Sequence, residues 1–186
     1  MSDKLNIIEN TVRASFAGVV WSHKIQEKQA DIYDCRYKCF EIIQITTSAF
    51  TSVGIVTLLF YDEYLIKLIS ALVSFVTVVI SMLLKSFNMQ ELCTAHKKSA
   101  LTLLIIRDKY QHLLMEIHIG EKSYIELNNE YMELEQEKHK AYLDSPSTSD
   151  KAVELASQAL KIKSDNKYTD NEINNFLPNI LWKRGS

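Results

Sequence analysis

Residues 42–61 read IIQITTSAFTSVGIVTLLFY, residues 62–67 read DEYLIK, and residues 68–84 read LISALVSFVTVVISMLL. The first run carries no charged side chain. At about 1.5 Å rise per residue it makes roughly 30 Å of helix, the thickness of a bilayer's hydrocarbon core. The second run is also uncharged. It reaches spanning length once Leu65 and Ile66 are added and Lys67 bends its ammonium toward the headgroups. The link between the runs is too short for a folded loop. A tight transmembrane hairpin is therefore expected over 41–85, with spans at about 42–61 and about 65–84. The competing reading is a buried helical pair in a soluble protein, but uncharged runs of this length are uncommon in soluble cores.

Aromatic residues bracket the spans. Phe60, Tyr61 and Tyr64 fall at the turn, and Tyr37, Phe40 and Phe87 fall at the other end, as interfacial belts do. Lys67 is the only basic residue on the turn side. Lys24, Lys28, Arg36 and Lys38 precede the hairpin, and Lys85, Lys97 and Lys98 follow it. The positive-inside rule then places both termini in the cytoplasm.

Polar residues in the spans are ordered. Lys67, Ser70, Ser74, Thr77, Ser81 and Lys85 recur at intervals of three and four, so they share one helical face. Gln44, Thr47, Thr51 and Gly54 do the same on the first span. Lipid cannot satisfy such groups, so they face protein or water. Two readings stay open. Small residues let two helices pack closely, or several hairpins together line a water-filled path. The second requires an oligomer, since one hairpin cannot enclose a pore.

The 186-residue chain is rich in helix formers and holds four Gly and two Pro in all, which points to an all-α protein. Residues 1–40 read as an N-terminal cytoplasmic helix with Leu5, Ile8, Val12, Phe16 and Val19 on one face. It reads as one piece or as two that part at Trp21-Ser22-His23, and the simplest picture is a helix that enters the bilayer without a loop. The apolar stripe resumes at Ile25, Ile32, Cys39 and Ile43, leading into the membrane. Residues 86–143 read as one long cytoplasmic helix. Leu103, Ile106, Tyr110, Leu113, Ile117, Tyr124, Leu127, Tyr131 and Leu134 keep one heptad register, spoiled only at Gly120. That pattern predicts a coiled-coil seam, within the chain or between chains. Leu101, Leu104, Ile105 and Leu114 widen the apolar face and favour a bundle. Residues 144–186 form a C-terminal segment. It opens with a Ser-Pro-Ser-Thr-Ser turn, followed by a helix over about 150–163. A loop is expected over 164–168, and Thr169-Asp170-Asn171-Glu172 has capping-box spacing before a last short helix. Ile180, Leu181 and Trp182 are an apolar tail suited to docking on the bundle.

Chemistry-bearing motifs are sparse. The net charge of −2 argues against direct nucleic-acid binding through phosphates. Cys35, Cys39 and Cys93 fall on the cytoplasmic side, where thiols stay reduced. His112 and Glu116 share a face but have no third ligand at useful spacing, so no metal site is expected. No catalytic constellation or phosphate loop is present, so neither an enzyme nor a cofactor is expected. The first 40 residues lack the apolar core and cleavage site of a signal peptide.

The stretch Trp21-Ser22-His23-Lys24-Ile25-Gln26-Glu27-Lys28-Gln29-Ala30-Asp31-Ile32-Tyr33, followed by Arg36 and the two apolar runs, resembles the SLATT family. Within it Trp21, His23, Lys24, Glu27, Ala30 and Asp31 carry the likeness. The resemblance is to bacterial two-helix membrane proteins associated with nucleotide-synthase and nucleotide-sensing modules, with some members encoded beside reverse transcriptases. It implies a multi-pass protein of the bacterial inner membrane. It further implies an effector of antiphage or conflict systems that forms a homo-oligomer and perforates the lipid bilayer when a partner sensor is triggered. It brings no catalytic residues. A membrane-anchored scaffold that recruits a partner would need the same features.

Overall fold

The computed structural model describes residues 2–58, 60, 63–161 and 173. The loop expected over 164–168, the capping box at Thr169 and the apolar tail at 180–182 lie outside the described residues. The fold is all-α, and no strand occurs among the described residues.

Helix α1, Ser2–Leu58, is the axis of the molecule. Its 57 residues make a rod of roughly 85 Å. It runs without interruption through Trp21-Ser22-His23, the one-piece alternative of the two that the sequence left open. The reason is visible in its partners: the side chains there are held by other helices, which offsets the weak local propensity at Gly18. Helix α2, Tyr64–Phe87, returns beside its C-terminal part. Helix α3, Met89–Ile119, continues back along its N-terminal part. Helix α4, Tyr124–Leu143, packs on α3 and α1, and α5, Asp150–Lys161, packs on α1.

The apolar runs, the C-terminal part of α1 and most of α2, pack on each other along one face and leave their other faces uncovered. No residue of the first apolar window is buried, and 6% of the second is. Ile42, Ile45, Phe50, Val53, Leu65, Leu72 and Phe75 are all more than half exposed. A soluble protein does not leave so broad an apolar belt open to water. The buried-pair reading is therefore set aside: these are two helices long and apolar enough to cross a membrane.

The bundle core is elsewhere. Ile8, Val12 and Val19 of α1 pack against Leu103, Ile106, Tyr110 and Leu113 of α3 and Leu127 and Leu134 of α4. The single helix expected over 86–143 is thus corrected to two, folded on each other. Gly120 adopts φ +78°, a left-handed conformation that costs glycine little, and its N–H bonds Glu116 O at 3.1 Å. Ser123 then starts α4 with a capping box, its N–H and Oγ donating to Glu126 Oε2 at 2.8 and 2.7 Å. Lys122 ties the corner, 2.7 Å from Glu116 and 2.5 Å from Glu130. The heptad positions on both sides of Gly120 consequently bury on the same stripe of α1. They form a core within one chain. Asn88 makes the other break, between α2 and α3, at φ +41°; Asn tolerates that region better than most residues.

Glu135 organises the centre of the bundle. It accepts hydrogen bonds from Ser15 Oγ on α1 at 2.7 Å and Tyr110 Oη on α3 at 2.6 Å. Lys138 Nζ donates to it at 2.5 Å from the next turn. Burial alone would raise its pKa. The bonds from Lys138, Tyr110 and Ser15 outweigh that and bring it down to about 2. Burial and the same carboxylate push the Tyr110 phenol up.

Candidate functional site

Two polar assemblies stand out, one between the apolar runs of α1 and α2 and one inside the bundle on α1. In the first, Gln44, Thr47, Thr51 and Gly54 on α1 are half-buried, as are Ser70, Ser74, Thr77 and Ser81 on α2. Their immediate neighbours on each helix are mostly exposed. The two stripes therefore lie on the faces where α1 and α2 meet. Gln44 Nε2 donates to Ser81 Oγ at 2.8 Å. Ser81 Oγ donates in turn to Thr77 O at 2.8 Å, and Thr77 Oγ1 to Val73 O at 2.9 Å. Thr51 Oγ1 donates to Thr47 O at 2.9 Å. A Cβ on Gly54 would overlap Ser70 Oγ and come within 3.3 Å of Ser70 Cβ. Gly54 is thus where the two backbones approach closely. Lys67 and Lys85, counted on the same stripe in the sequence, are exposed.

The second assembly lies on α1 at residues 23–30, below the start of the apolar run. The apolar stripe expected through Ile25, Ile32, Cys39 and Ile43 is not the buried face here: Cys39 and Ile43 are exposed. Buried instead are His23, Lys24, Gln26 and Gln29, joined by His96 and Ser99 of α3. Every one finds a partner. His23 Nδ1 lies 2.9 Å from Ala100 O, which assigns it the proton. Lys24 Nζ donates to Glu27 Oε2 at 2.9 Å. His96 Nδ1 lies 2.5 Å from Gln26 Oε1, while Gln26 Nε2 donates to Pro146 O at 3.0 Å. Gln29 Oε1 accepts from the N–H and hydroxyl of Ser149 at 2.8 and 2.7 Å. Ser99 and Ser145 share a 2.5 Å hydroxyl contact. The His96 ring stacks on Tyr33, centroids 5.4 Å apart.

This layer is a clamp. Two glutamines of α1, Gln26 and Gln29, hold both ends of the 145–149 turn against α1. Of the residues carrying the family likeness, His23, Lys24 and Ala30 are buried in or beside it, and Glu27 is half-buried. Trp21 stands at its edge, with Lys161 Nζ 5.7 Å from the ring centroid. Asp31 instead faces solvent and pairs with Lys28 at 3.1 Å. Sequence reasoning missed Gln26, Gln29, His96, Ser99 and Ser149 as a unit. One signal was available: extending the α3 heptad upward from Leu103 and Ile106 places His96 and Ser99 at core positions.

Chemically the layer offers hydrogen bonds, not a nucleophile and base in register. No cluster of potential metal ligands occurs among the described residues. Burial pushes His96 below its ordinary 6.5. The sign follows: as pH falls through 6.5 the unfolded chain takes the proton first, so stability is full above 6.5 and drains below it. Amide-exchange protection around residues 93–103 is expected to fall between about pH 7 and about pH 5.5, and His96→Gln to flatten that slope. An unchanged slope in the variant would assign the dependence to another group.

A family model described as "SMODS and SLOG-associating 2TM effector domain family 4" matches residues 8–172, spanning both assemblies. No curated protein and no solved structure matches the chain.

Proposed function

Because this chain belongs to family 4 of the SMODS and SLOG-associating two-transmembrane effector domains, a membrane effector of conflict systems, we propose that it acts as an oligomer. On a signal from a partner sensor it opens a path through the bacterial inner membrane, without a catalytic step. The sensor is of the nucleotide-synthase or reverse-transcriptase-linked kind, and both termini lie in the cytoplasm with the bundle. The observation that carries this reading is the pair of facing polar stripes. Gln44, Thr47 and Thr51 against Ser74, Thr77 and Ser81 form a seam that one hairpin closes on itself and that several hairpins, rotated, would turn toward water. The polar clamp at residues 23–30 supplies a place where a signal on the 145–149 turn reaches α1 directly.

The test is a Ser74→Leu, Thr77→Leu double variant. Induced with its genetic neighbours, the wild-type chain is expected to dissipate the membrane potential. The double variant is expected to insert, keep its oligomer mass in detergent, and lose dye release from liposomes. A second reading has its own observation. The Gln44–Ser81 bond and the Gly54–Ser70 approach already satisfy the seam within one chain, which suits a scaffold that anchors a partner. Partner binding with an intact membrane potential under every condition of induction would favour the scaffold and overturn the pore.

A further inference from the structure

A cleft of about 580 Å³ opens where α2 gives way to α3 at the left-handed Asn88. Tyr33, Arg36 and Phe40 of α1 line one side, and Phe87, Met89 and Leu92 the other. It lies where the apolar belt ends. Phe87 closes α2 and is 56% exposed, and the uncharged run of α1 begins at Ile42. In a bilayer this is the depth at which acyl chains meet headgroups.

The chemistry of the walls is amphiphilic. Most lining side chains are aromatic or aliphatic, and none is acidic. Arg36 is exposed, and among the described residues no ion pair or hydrogen bond engages its guanidinium. The acids closest in sequence are already engaged. Asp34 pairs with Lys38 at 2.7 Å, and Glu41 accepts from Tyr37 at 3.4 Å. On the other wall, Glu91 accepts from Asn88. A free guanidinium over an apolar slot matches a ligand with an anionic head and a hydrocarbon tail.

We propose that this cleft binds one anionic phospholipid from the leaflet on the bundle side. The phosphate sits on Arg36 and an acyl chain lies between Phe40 and Phe87. The site rests on membrane insertion and not on pore formation. Its occupant touches both α1 and the α2–α3 joint, so it couples lipid composition to the angle between hairpin and bundle.

Native mass spectrometry of the detergent-purified full chain tests this, with phosphatidylglycerol and phosphatidylcholine offered in equal amounts. The wild-type chain is expected to retain phosphatidylglycerol preferentially. Arg36→Gln is expected to reduce that retention about tenfold, the loss of one charge-assisted contact pair. Phe87→Ser is expected to weaken both lipids, and Arg107→Gln, half-buried on α3 beside Asp108 and away from the cleft lining, neither. Equal retention by Arg36→Gln and wild type would overturn the site, as would equal retention of the two lipids by the wild type. So would a second copy of the chain in the cleft, seen as a dimer that Phe87→Ser dissociates with no lipid bound. Carbonate extraction of the same variants keeps the two ideas apart. A wild-type chain resistant to extraction but without lipid preference ends the lipid site alone. A chain released by carbonate ends the membrane reading with it.

Discussion

Replacing Glu135 by Ala is expected to destabilise the bundle by about 3 kcal/mol, the usual cost of removing one member of a buried, hydrogen-bonded charge cluster. The carboxylate is 17% exposed and receives bonds from three elements of structure. Its loss strands the Tyr110 hydroxyl, fully buried between α1, α3 and α4, and leaves Lys138 without its counter-charge. Glu135→Gln keeps the shape and one acceptor, so a smaller loss is expected. The two variants also separate shape from charge through pH. With the native carboxyl at about 2, the unfolded chain protonates first as pH falls, so its contribution is complete above pH 4.5 and is lost from there toward pH 2. In Glu135→Gln that acid-limb slope should shrink. Hydrogen exchange of α3 and α4 peptides in nanodiscs reads both effects. Equal exchange in wild type and Glu135→Ala would show that the cluster is not what joins α1, α3 and α4.

The hairpin was legible because lipid imposes a local rule: a span must be uncharged for its whole length, and that is visible in any window of the chain. The core was legible for a related reason. Ile8, Val12, Val19, Leu103, Ile106, Tyr110 and Leu113 announce themselves by periodicity, and they are the residues that pack together. The reversal at Gly120 was less visible because a heptad count passes through a turn unchanged when both arms bury on the same partner. The correcting signal lay in the next few residues, where Ser123 and Glu126 have the spacing of a helix start. The polar clamp was hardest to see. Gln26 meets His96 at a separation of 70 residues and Pro146 at 120. Nothing in the local pattern of a glutamine says that it is buried, and only the fold supplies the partners that make its burial tolerable. The family likeness falls on the same stretch of α1 as the clamp. The structure gives three of the residues that carry it a packing role, since His23, Lys24 and Ala30 are buried where α1 meets α3 and the 145–149 turn.

Gly54→Leu is the sharpest probe of the seam between the spans. An alanine there is expected to be tolerated, because the first obstacle is the hydroxyl of Ser70, which rotates away about its own side-chain bond. A leucine cannot be accommodated so cheaply. Its branched end must displace the α2 backbone, and overpacking of that kind costs about 2 kcal/mol. If the closed hairpin is the resting arrangement of a gated assembly, that strain acts against the resting state alone. A 2 kcal/mol bias shifts a two-state balance roughly 30-fold. Expression of Gly54→Leu without its genetic neighbours is therefore expected to depolarise cells in the absence of any trigger, while Gly54→Ala behaves as wild type. A potential-sensitive dye reads the outcome, with immunoblots of the membrane fraction to equalise inserted protein. A leucine variant that inserts at the wild-type level and leaves the potential intact would mean that opening the seam opens nothing, and the polar stripes would then be helix packing throughout.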